Sequence, residues 1–318
     1  MSLEILVGRA QKLIEGILAR TRVSEAELLR PRLSTGPKVI TQTVLPLLVR
    51  PQGLILLSSF VLLMAWGENG SLQVLRGVEG LQSLGLPLFW SGWGGTGSDP
   101  ASRDQIIPGL AWDQELICYV AGFVLLVVLP AIFIRVVLRE SLSEFGLCLP
   151  PKDRWRFAIT SALGLAVLGV PAILLAAGDA DMQAEYPMFR GAFESNADFI
   201  AYELVYLLFF VVIEFVFRGY LLFGLYKLRD ADVTPPDAGL PRPLFFGYAA
   251  ILIAMLSYTA WHLGKPQLEL WSTLPWGLAA GAIALVSRSI VPIIFVHWGL
   301  NVILDTAIRN GWSLSSIF

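Results

Sequence analysis

The chain has two histidines, His262 and His297, and each stands four residues from another polar side chain in strongly apolar sequence. Tyr258 precedes His262 by four, Asn301 follows His297 by four, and a third pair, Glu214 and Arg218, has the same interval. Four residues turn a helix by about 400° and advance it by about 6 Å, so each pair projects from one helical face. Ionisable groups inside apolar helices are costly and mark functional sites by default. Here a carboxylate can serve as a base, and donors aimed at a developing oxyanion act strongly away from bulk water. Two other readings use the same residues. One is a polar network that only locks helices together. The other is a divalent metal on Glu214, His262 and His297, since His₂Glu is a known zinc set; it ranks below a metal-free and cofactor-free site.

Positioning these pairs requires membrane helices. Of 318 residues, 55% are hydrophobic and 15% charged, and the mean hydropathy is +0.66. Soluble domains carry about 25% charged residues, so an ordinary cytosolic enzyme is excluded. So is a disordered chain, and a net charge of −2 excludes a nucleic-acid surface. A span needs about 20 mostly apolar residues. Seven stretches qualify, near 46–66, 114–135, 157–177, 200–226, 244–264, 269–287 and 290–309. The expected fold is therefore all-α, a polytopic membrane bundle of about seven spans. Eight basic residues precede the first span, from Arg9 to Arg50, and Arg135, Arg139, Lys152, Arg154 and Arg156 lie between the second and third. By the basic-residue bias of cytoplasmic loops this places the N-terminus inside. Arg218 is the one basic residue left within a span. Glu203 and, near an outer end, Asp305 are the further acids singled out there beside Glu214.

Three regions follow: a cytoplasmic amphipathic segment over 1–44, two spans with an external loop over 45–150, and a membrane core over 151–318. The first has apolar residues at helical spacing from Leu3 to Leu18, suited to the inner membrane face or to docking on the protein itself. The 68–113 loop, with Trp90, Trp93 and Trp112, reads as an external loop at the interface or as a lid. Cys118 and Cys148 fall at opposite membrane faces and cannot pair. Gly277 and Gly281 form a GxxxG packing signal.

The three pairs, taken in order, resemble a family. Glu214-Phe-Val-Phe-Arg218-Gly219 is similar to the EExxxR motif of the CAAX-prenyl-protease and bacteriocin-processing (CPBP) intramembrane proteases. Tyr258-Thr-Ala-Trp-His262 is similar to its FxxxH motif, with Tyr for Phe, and His297-Trp-Gly-Leu-Asn301 to its HxxxN motif. The resemblance extends over roughly residues 155–309. It implies a helical endopeptidase without a covalent intermediate, in which the first Glu of EExxxR and the second-motif histidine, His262, activate a water. His297 and Asn301 then hold the oxyanion, and Arg218 orients the acid beside it.

One position departs from that pattern. Counting back from Arg218, Glu214 matches the second Glu, and Ile213 stands where the first belongs. Adjacent helical residues point about 100° apart, so three readings stay open. A locally rotated helix would let Glu214 serve as the base. His262 would otherwise work with an acid from elsewhere. Or the chain is an inactive relative that binds a peptide or lipidated protein, in an immunity or scaffold role. Glu203, about 16 Å from Glu214 along the axis, is too far to share its water. The expected setting is a cell membrane, of the bacterial inner type, with a protein or peptide substrate and the lipid bilayer as partners and no nucleic acid. A cavity facing the outer leaflet would select exported or membrane-anchored proteins. A transporter ranks third, since no inverted repeat is evident.

Overall fold

The computed structural model describes residues 51–66, 119–120, 122–188, 190–226 and 249–313; its regular elements are helices, with no strand among the described residues. Segment 1–44, the tryptophan-rich loop and Cys118 lie outside this set. Eight helices concern us here: α1 (Pro51–Trp66), α2 (Val124–Leu138), α3 (Trp155–Ala176), the short α4 (Ala180–Glu185), α5 (Asn196–Tyr226), α6 (Ala249–Trp261), α7 (Gln267–Ser287) and α8 (Val291–Asn310). Four of the seven expected spans, α3, α5, α7 and α8, are long and apolar enough to cross a bilayer. The segments of α1, α2 and α6 are shorter apolar helices. The residues flanking α1 and preceding α6 are outside the described set, and α2 is wound partly as π-helix, over Val124–Val128 and Phe133–Leu138. The protein is a multi-pass membrane protein.

Local chemistry sets the ends of these helices. Asp179 caps α4 by accepting from the Asp181 and Met182 amides, and Ser195 caps α5 through the Asp198 amide at 3.0 Å. Arg288 ends α7 in a left-handed conformation at φ 54°, and Pro292 begins α8, where its missing N–H costs nothing. The loop between α2 and α3 is sewn to this α7–α8 turn. Gly146 O accepts from Ile290 N at 2.9 Å, and Ser289 Oγ donates to Cys148 O. Gly146 needs to be glycine, since its φ is +75° and a Cβ would come within 2.6 Å of the Phe223 ring.

α5 is the central helix. Its inner half is buried on every side from Val212 to Leu225. α6 packs on α7 through the GxxxG face, where a Cβ at Gly277 would meet Met255 Cγ at 2.8 Å. α8 runs along α5 and α3, and α3 approaches so closely that a Cβ at Gly169 would meet Leu300 at 2.7 Å. The far face of α3 is left to lipid, with Leu163 and Val167 at 60% and 70% exposure. A bilayer is the environment in which that apolar surface carries no penalty.

Candidate active site

The three polar pairs come together between α5, α6 and α8. Glu214 ends the regular part of α5, and the next nine residues, Phe215–Phe223, are π-helical. Such widened turns are frequent at functional sites. The Arg218 guanidinium still reaches back to Glu214, Nη1 to Oε1 at 3.3 Å, and lies 4.2 Å above the Tyr258 ring. Glu214 and Arg218 are 0% and 1% exposed, so they form a fully buried pair whose charges compensate each other. Glu214 Oε1 also meets His297 Nδ1 at 2.7 Å. A carboxylate oxygen accepts, so His297 donates from Nδ1 and turns Nε2 toward the Tyr258 hydroxyl, 3.5 Å away. Phe210 and Trp276 flank the His297 ring at 4.7 and 4.6 Å between centroids.

His262 lies one residue beyond the last residue of α6, in the turn that leads to α7. The four-residue interval nevertheless works, because His262 Nδ1 reaches back to the Tyr258 carbonyl at 2.8 Å. A carbonyl oxygen only accepts, so Nδ1 carries a proton there. The other ring nitrogen, Nε2, is 3.6 Å from Glu269 Oε1 on the first turn of α7. The Tyr186 hydroxyl donates to the same Oε1 at 2.8 Å. Burial, reinforced by the Glu269 charge, pushes that phenol well above its ordinary value, so it remains a donor. Lys265, in the same turn as His262, pairs with Glu185.

These side chains border a cavity of about 660 Å³ between α3, α5, α6, α7 and α8. Tyr258, His262, Glu269, His297 and Asn301 all line it. Ile213 lines it too, whereas Glu214 does not and sits behind His297. Adjacent residues at a helix surface diverge by about 100°, and the isoleucine is the one that faces the space. Asn301 donates from Nδ2 to Asp305 at 3.0 Å, and Asp305 is buried beside Glu203 toward the far end of α8. No group of three His, Cys, Asp or Glu side chains placed to hold a metal occurs among the described residues. Sequence reasoning missed Glu269 and Tyr186. Glu269 opens a predicted span and looks like a charged residue at a membrane edge, and no fixed spacing joins it to His262.

Comparison with known proteins adds one finding. Residues 196–303 match the family model described as Rce1-like, type II CAAX prenyl endopeptidase. No curated protein and no solved structure matches the chain. The match contains all three polar pairs and the Ile213 position, and leaves out α1 to α4. Residues 196–303, which build the cavity's polar wall, are thus the part of the chain that is similar to this family.

Proposed function

We propose that the protein is an intramembrane endopeptidase that hydrolyses peptide bonds of exported or membrane-anchored proteins in a bacterial cell membrane. The observation that carries this reading is the meeting of His262, His297 and Asn301 on the wall of one largely apolar cavity, in the segment that matches a peptidase family. An extended peptide entering from the bilayer finds apolar walls from α3 and polar groups only at the far side. His262 assists activation of a water. His297 and Asn301 donate to the oxygen of the scissile carbonyl as it gains charge. Donation from His297 Nε2 requires a second proton on that ring, and Glu214, held by Arg218, is the counter-charge 2.7 Å behind it. Tyr258 supports both histidines, through its carbonyl and its hydroxyl. Membranes from cells producing the native chain, Glu214→Ala and His262→Ala test the reading. Exported precursors accumulate unprocessed in both variants if the site is catalytic. Normal processing with stably expressed variants rejects it.

The second reading is a binding protein without activity, in an immunity or scaffold role. The observation in its favour is Ile213, an apolar side chain on the cavity wall where the resemblance expects the acid. Under that reading Ile213→Glu has no effect on processing.

A further inference from the structure

We propose that Glu269, acting with His262, is the base that activates the hydrolytic water, and so supplies the carboxylate that Ile213 leaves missing. The inference rests on the peptidase reading and concerns the same cavity.

The argument starts with the His262 ring. Nδ1 is committed to the Tyr258 carbonyl as a donor at 2.8 Å, so Nε2 of the neutral ring is an acceptor. It faces Glu269 Oε1, also an acceptor, at 3.6 Å. Two acceptors facing each other need a proton between them. A direct charge-assisted hydrogen bond would draw them to about 2.7–2.9 Å, well short of the observed spacing. A water donating one hydrogen to each group satisfies both, and its lone pairs then point away from the two bases into the cavity. That is the orientation a nucleophilic water requires.

The carboxylate is built for the task in two further respects. Tyr186 occupies Oε1, while Oε2 is buried with no hydrogen-bond partner in the protein. Glu269 lines the cavity beside His262, and Oε1 keeps a second lone pair that can accept from a water. Lys265, in the turn before α7, pairs with Glu185. Glu214 lacks this access, being fully buried behind His297. Among the described residues, the carboxylate that lines the cavity beside His262 thus comes from the first turn of α7 rather than from α5.

The step balances as a hydrolysis. The water oxygen forms a bond to the scissile carbon, one water proton passes to Glu269, and the carbonyl π pair moves to the oxygen facing His297 and Asn301. Collapse restores the carbonyl and breaks the C–N bond, and the Glu269 proton goes to the leaving nitrogen. The products are a carboxylic acid and an amine, and the carboxylate is regenerated.

The test profiles new protein termini in membranes of cells producing no chain, the native chain, His262→Ala, His297→Ala, Glu269→Gln and the double variant Ile213→Glu/Glu269→Gln. Termini that depend on the native chain are expected to fall at least tenfold in Glu269→Gln and to return in part in the double variant, because position 213 faces the same cavity. A merely structural role of Glu269 would not be rescued from α5. Should Glu269→Gln fail to accumulate, Glu269→Asp takes its place: it keeps the charge, withdraws the carboxylate by one methylene, and is expected to lose at least tenfold. Termini lost in His262→Ala but kept in an accumulating Glu269→Gln or Glu269→Asp overturn the assignment and leave the peptidase reading intact. The absence of termini specific to the native chain, or their persistence in both histidine variants, overturns both.

Discussion

At the scale of single residues, Glu214 and Arg218, four apart on one helix, illustrate how charged groups can serve a site without facing it. The pair is buried and self-compensating, and it reaches the cavity through His297 and Tyr258. Removing Arg218 would leave an uncompensated carboxylate in an apolar interior, a change that costs about 3–5 kcal/mol. Arg218→Leu is therefore expected to lower the thermal midpoint of the purified chain markedly, as thermal unfolding will show. Asn301→Leu removes a donor to the carbonyl oxygen and is expected to lower cleavage by about 10²–10³-fold, the scale seen when one such donor is lost. Rates compared at equal protein level check that expectation. Cys148 gives a residue-scale control outside the spans. Burial, with Glu144 nearby, pushes its thiol up, so less thiolate is present at neutral pH. Its alkylation at pH 7–8 is expected to be slower than that of a free cysteine and to accelerate as pH rises.

At the scale of elements, the helices were legible because apolar runs of bilayer length are a strong signal. All seven expected stretches carry helix where they are described, and α5 spans 196–226 against an expected 200–226. The three four-residue intervals were legible for the same reason, since a regular helix converts sequence spacing into a shared face. What sequence spacing does not encode is a contact across a turn. Glu269 meets His262 because the chain reverses between α6 and α7, through Gly264 at φ +94° and Pro266, and neither residue announces which side chains will face each other afterwards. The π-helical stretch after Glu214 was equally silent, as the apolar residues of Phe215–Phe223 fit a regular helix just as well. The α6–α7 contact that sets this geometry depends on Gly277. Gly277→Val, which drives a branched side chain into Met255, is expected to destabilise the chain by about 1–3 kcal/mol, read as a lower thermal midpoint, with loss of cleavage because His262 and Glu269 separate.

At the scale of the whole molecule, the balance of surfaces says how a peptide would reach the site. α3 exposes large apolar side chains on its outer face and lends its inner face to the cavity, so it stands between lipid and the polar wall. From the basic residues concentrated before α1 and between α2 and α3, we propose that the N-terminus is inside. His262 then falls toward the outer face, and the account predicts that single cysteines at 262 and 301, in a chain lacking Cys118 and Cys148, react with impermeant reagents from outside. Labelling only from the cytoplasmic side would reverse the assigned orientation. The central claim, that this cavity hydrolyses peptide bonds with water at the His262 site, is tested most directly by isotope. A peptide spanning a cleavage site identified in the terminus profile, incubated with the purified chain in ¹⁸O-water, should yield one ¹⁸O in each new carboxyl group with the native protein and no product with His262→Ala. Equal cleavage by the two proteins, or none by the native one, would contradict the account.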